Sequence, residues 1–105
     1  MDSSIENIIG GVLEKIAQGY LRAKKEWLSD KKNRFKDGRL LGYYEAQEAI
    51  IRAMNGNESA NDTLETLAEL YSRAKTDWLS DRRNPFKDGK FLACFEILNM
   101  IPAAN

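Results

Sequence analysis

One stretch of this chain occurs twice, and no other feature constrains its fold as strongly. Residues 22–30 read Arg-Ala-Lys-Lys-Glu-Trp-Leu-Ser-Asp, and residues 73–81 read Arg-Ala-Lys-Thr-Asp-Trp-Leu-Ser-Asp, 51 positions further on. The match runs on through Asn33, Phe35, Lys36, Asp37, Gly38, Leu41 and Glu45, which return as Asn84, Phe86, Lys87, Asp88, Gly89, Leu92 and Glu96. Between 20–50 and 71–101, 16 of 31 positions are identical. A repeat of this length matches a helical-hairpin unit, which needs a neighbouring unit to bury its apolar face. The 105 residues are therefore read as a single all-α domain, an antiparallel four-helix bundle built from two tandem hairpins at 4–54 and 62–101 with a linker at 55–61.

Apolar residues at helical spacing define each element. Ile5, Ile8, Ile9, Val12, Leu13, Ile16, Tyr20, Ala23 and Trp27 predict a first helix over 4–30, with Ser3 and Glu6 as its capping box. Gly10 and Gly11 interrupt that stripe and suggest a kink or a close helix contact. Asn33 suits a left-handed stop, and Asp37 suits the N-cap of a second helix over 38–54. Asp62 begins a third helix over 62–82, and Asp88 a fourth over 89–101 that Pro102 ends. With the hairpins turning at those points, Glu45 faces Arg22 or Lys24, and Glu96 faces Arg73 or Lys75, as exposed ion pairs inside each hairpin.

Composition removes several classes of function. The sixteen basic and sixteen acidic residues cancel, so overall charge favours neither nucleic acid nor membrane. There is no histidine, which removes the usual general base and the Glu-x-x-His metal motif of helical bundles. The one cysteine, Cys94, lies within an apolar run and reads as a buried thiol. No phosphate-binding glycine loop, cofactor site or metal site is evident, and the expectation is a protein that is not an enzyme. Neither a signal peptide nor a membrane span is recognised, so the expected location is cytoplasmic.

Two features point to binding. In the predicted bundle both hairpin loops share one pole, carrying Lys31, Lys32, Arg34, Lys36, Arg39, Arg82, Arg83, Lys87 and Lys90. Those nine bases stand against four aspartates, about +5, which leaves the rest of the molecule at about −5. Phe35 and Phe86 lie among them, and both tryptophans about one turn before the ends of their helices. The mixture suits a phosphate backbone, single-stranded bases or an acidic protein surface, or else solvated loop charge beside aromatics that plug the end of the core. The second feature is the fourth helix, apolar on most sides. It suggests a homodimer or partner face at Phe91, Phe95 and Leu98, or central packing within the bundle. The expected function is a small interaction module, regulator or inhibitor that binds a protein partner or a second copy of itself. Nucleic-acid binding through the two loops is the alternative, and no small-molecule substrate is evident.

Overall fold

A computed structural model of the chain describes residues 3–102, with side chains from Asn7 onward. The capping box expected at Ser3 and Glu6 lies outside the described side chains. Among the described residues there are four α-helices and no strand, an all-helical arrangement compatible with a four-helix bundle. They are α1 (Ser3–Ser29), α2 (Arg34–Asn55), α3 (Ala60–Ser80) and α4 (Pro85–Leu98). None is long and apolar enough to cross a membrane among the residues described.

Three helices begin earlier than their sequence predicts, because a different residue caps each. Asn33 is not a left-handed stop. Its φ is −82° and ψ 111°, and its side chain accepts from the Lys36 amide, so it starts α2. Asn84 does the same for α4, accepting from the amides of Phe86 (3.0 Å) and Lys87 (3.2 Å). Pro85 then occupies the first turn of α4, where no backbone N–H is needed. Ser59, rather than Asp62, caps α3. The loops before α2 and α4 repeat the same hydrogen bonds: Asn33 N–H to Asp30 O (3.1 Å) and Asn84 N–H to Asp81 O (3.2 Å).

The early starts of α2 and α4 shift each hairpin by about one turn. Tyr43 lies against Gly19 and Tyr44 against Tyr20, which places α1 and α2 antiparallel in a tighter register than expected. The glycines that matter are consequently not those of the apolar stripe. Side chains added at Gly10 or Gly11 would meet nothing within 4 Å, and α1 continues through both. Gly38 and Gly89, by contrast, sit where α2 and α4 touch backbone to backbone. A β-carbon at Gly38 would fall 1.9 Å from Phe86 O, and one at Gly89 would fall 2.0 Å from Phe35 O. The contacts are reciprocal, each linking residues that correspond at the 51-residue offset. Gly42 continues the approach against Ala93, so α2 and α4 run side by side in the same direction. Glycine is the residue that lets two backbones come this close.

That contact organises the core. Ala46 and Ala93, almost fully buried, keep α2 and α4 together, and Ile50 and Ile97 extend the seam. Val12 and Ile16 of α1 and Leu67 of α3 close it from either side. The apolar character of α4 is largely explained within the chain. Ala93 and Ile97 face the core, and Phe91 packs against α3, its ring 4.7 Å from Trp78 and 5.5 Å from Tyr71. Met100 packs against the core cluster beyond the end of α4, near Ile8 and Val12 of α1.

Candidate functional site

The two hairpin loops meet at one end because α2 and α4 touch through their first turns. Arg34 places its guanidinium 5.5 Å from the Phe86 ring, which bridges one loop to the other. The nine basic residues expected at this pole then divide into two groups by what they touch.

Five are engaged by carboxylates. Lys36 lies 3.9 Å from Asp30, Lys87 lies 3.9 Å from Asp81, and Arg34 is 3.7 Å from Asp37. Arg39 and Lys90 pair across the α2–α4 contact. Arg39 Nη2 donates to Glu96 Oε1 at 3.1 Å and Nη1 to Glu26 at 2.9 Å, while Lys90 Nζ lies 3.0 Å from Glu45. This corrects the expected ion pairs: Glu45 and Glu96 reach the other half of the chain rather than Arg22, Lys24, Arg73 or Lys75. The cause is the one-turn shift at each hairpin, which moves both glutamates toward the crossing of α2 and α4.

The Arg39 cluster is the more enclosed of the two. Tyr43, 1% exposed, donates its hydroxyl to the same Glu96 oxygen at 2.7 Å, and its ring lies under the Arg39 guanidinium. Burial and the Glu96 hydrogen bond push the Tyr43 phenol well above its ordinary range. Burial works against the Arg39 charge, yet Glu96 and then Glu26 outweigh it, so its pKa also rises. Arg39 Nε is buried without a hydrogen-bond partner among the described residues, so the cluster is not fully satisfied.

The remaining four, Lys31, Lys32, Arg82 and Arg83, are exposed and have no carboxylate within 4.0 Å among the described residues. Two of them lie over tryptophans. Lys31 Nζ is 5.4 Å from the Trp27 ring, and the Arg82 guanidinium is 4.7 Å from the Trp78 ring. Each tryptophan at the pole therefore carries a cation. Phe91 and Arg82 both lie against Trp78, and Arg34 lies over Phe86.

On α4 the three residues expected at a partner face separate. Phe91 is covered by Trp78 and Tyr71, Leu98 is half-buried, and Phe95 is 47% exposed. Cys94 is buried, which pushes its thiol up to about 11 and leaves it protonated at neutral pH. Among the described residues no three metal-ligating side chains come together. Compared with known protein families, with characterised proteins and with solved structures, the chain matches none.

Proposed function

We propose that this protein is a non-enzymatic helical interaction module whose basic pole docks on an acidic surface of a partner protein. The observation that carries this reading is the group of four exposed cations, Lys31, Lys32, Arg82 and Arg83, on two abutting loops without carboxylate partners among the described residues. Each loop leads into a capped helix start, and the two starts are held by a backbone-to-backbone contact. Such a rigid cluster steers an oppositely charged partner and loses little entropy on binding. Phe95 and Leu98 offer apolar area to the same partner or to a second copy of the chain.

A protein surface fits better than a single strand because stacking of successive bases needs several open ring faces. Here Trp78 already carries Phe91 and Arg82, and Trp27 and Phe86 each carry a cation. The reciprocal contacts of Gly38 and Gly89 and of Arg39 and Lys90 support a further reading, that the fold is one hairpin duplicated about a pseudo-two-fold axis. The lone, protonated Cys94 suits a reducing cytoplasm.

The test is fluorescence anisotropy with a labelled polyglutamate peptide and with labelled single-stranded and duplex nucleic acid, titrated across salt. The comparison variant replaces Lys31, Lys32, Arg82 and Arg83 by Glu. Peptide binding that weakens with salt and is lost in the variant is the expected result. Tighter, salt-steep binding of nucleic acid would replace this reading with the phosphate-backbone one, and no binding of any polyanion at low salt would end both.

A further inference from the structure

The two tryptophans occupy corresponding positions, yet one stands beside a filled space and the other beside an open one. In the second half Phe91 lies flat on Trp78, 4.7 Å between ring centres at 15°, and also reaches Tyr71 at 5.5 Å. The residue at the corresponding place in the first half is Leu40. No aromatic ring stacks on Trp27 among the described residues. Its indole N–H turns instead to Asp37, which accepts it, and a groove of about 280 Å³ opens between α1 and α2. Tyr20, Trp27, Asp37, Leu40, Leu41 and Tyr44 line it. That volume suits one large side chain rather than a drug-sized ligand.

We propose that this groove receives a single aromatic side chain from an acidic segment of a partner protein. The shape of the occupant is argued from the chain itself, because the other half places a phenylalanine ring against the matching tyrosine and tryptophan. Its charge is argued from the rim. Lys24 Nζ lies 6.0 Å from the Tyr20 ring and Lys31 Nζ 5.4 Å from the Trp27 ring, both exposed and neither within 4.0 Å of a carboxylate among the described residues. The one carboxylate lining the groove, Asp37, is taken by the Trp27 indole and by Arg34. An incoming ring thus meets an apolar wall, and acidic residues flanking it meet Lys24 and Lys31. Tyr44, 47% exposed at the groove, gains cover when the ring enters. The inference rests on the reading of the pole as a docking surface for an acidic protein, and it specifies what that protein presents.

Two labelled peptides test it, each a run of glutamates around one central residue, phenylalanine in one and alanine in the other. The wild-type protein is expected to bind the phenylalanine peptide on the order of tenfold more tightly, as burial of one aromatic ring warrants. Leu40→Phe, which places in the first half the residue that the second half already holds, is expected to erase the preference while keeping salt-dependent binding. Circular dichroism checks that this variant is folded. Equal binding of the two peptides by the wild type overturns the groove and leaves the pole standing. A preference that survives Leu40→Phe overturns it as well, since the ring then binds elsewhere. If neither peptide binds, the pole reading fails and N-acetylphenylalaninamide decides the groove by nuclear magnetic resonance. A shift of the Trp27 indole N–H without one at Trp78 supports the groove, and no shift ends it.

Discussion

The first and second halves of the chain share their backbone contacts and differ in what fills the space beside them. Asn33 and Asn84 cap their helices in the same way, and Gly38 and Gly89 each meet a carbonyl of the opposite helix. Beside the tryptophans the first half is open and the second is filled by Phe91. Around the ion pairs the roles reverse. Tyr43 fills its site and bonds to Glu96, whereas Cys94 stands at the corresponding position in the second half. There the Lys90–Glu45 pair borders a cleft of about 520 Å³ that Arg52, Arg73 and Asp77 also line. Each half thus has one closed site and one open site. Positions pressed between two backbones tolerate no side chain, while positions away from that contact accept a large residue in one half and a small one in the other. Halves with matching backbone contacts can in this way present two unlike surfaces.

The sharpest challenge to the shared part of that comparison is substitution of its glycines. Gly38→Ala and Gly89→Ala each force a β-carbon onto a carbonyl of the facing helix. Each is expected to cost ~3 kcal/mol or more in urea unfolding, the upper end of overpacking in a core. Because the contacts are reciprocal, the two losses should agree closely, and a gap above ~1 kcal/mol would break the equivalence of the halves. Gly10→Ala and Gly11→Ala, with open space around them, should instead raise stability by ~0.5–1 kcal/mol each.

These glycines also mark where the sequence stops being informative. The hydrophobic period locates all four helices, and the turn chemistry locates the loops that meet at the pole. What a glycine does depends on its neighbour in space, so Gly10 and Gly11 read as the more telling pair although they touch nothing. Asp37 and Asp88, each followed by glycine, read equally well as helix caps, and that choice displaced the helix starts by a turn. The displacement carried Glu45 and Glu96 to the wrong partners and hid the close approach of α2 and α4. A signal for that approach was present in the spacing of Gly38 with Gly42 and of Gly89 with Ala93, small residues one turn apart on a shared face. The apolar surround of α4 followed from the same contact, since α4 has α2 on one side and α3 on another. The groove at Tyr20, Leu40, Leu41 and Tyr44, with Lys24 at its rim, was legible only as one mismatch, Leu40 against Phe91, in an otherwise closely matched repeat.

The ion pairs sharpen the comparison by a smaller amount. Glu96 Oε1 accepts from both Arg39 and the buried Tyr43 hydroxyl, whereas Glu45 holds one lysine beside an open cleft. Glu96→Gln is expected to cost ~1.5–3 kcal/mol, the range for hydrogen bonds to a charged group. Glu45→Gln should cost less than ~1 kcal/mol, as a solvated pair does. Urea unfolding of both variants reads the difference. Equal losses would mean that the cleft side is as tightly coupled as the closed one.

The smallest effect lies in alkaline pH and separates the residues that stand at 43 and 94. Folding raises both the Cys94 thiol and the Tyr43 phenol, so the folded chain holds these protons more tightly than the unfolded chain does. A group of this kind contributes its full stability below its unfolded pKa and loses it as pH climbs toward the folded value. For Cys94 the loss begins near 9 and is complete at about 11. For Tyr43 it begins only near 10. Wild-type stability should therefore start to decline above pH ~9, before any tyrosine ionises in the unfolded chain. Cys94→Ala should remove that early decline and leave the later one, and Tyr43→Phe should do the opposite. An unchanged early decline in Cys94→Ala would mean that the thiol is not the group responsible, and the open and closed sites of the two halves would no longer differ in how they titrate.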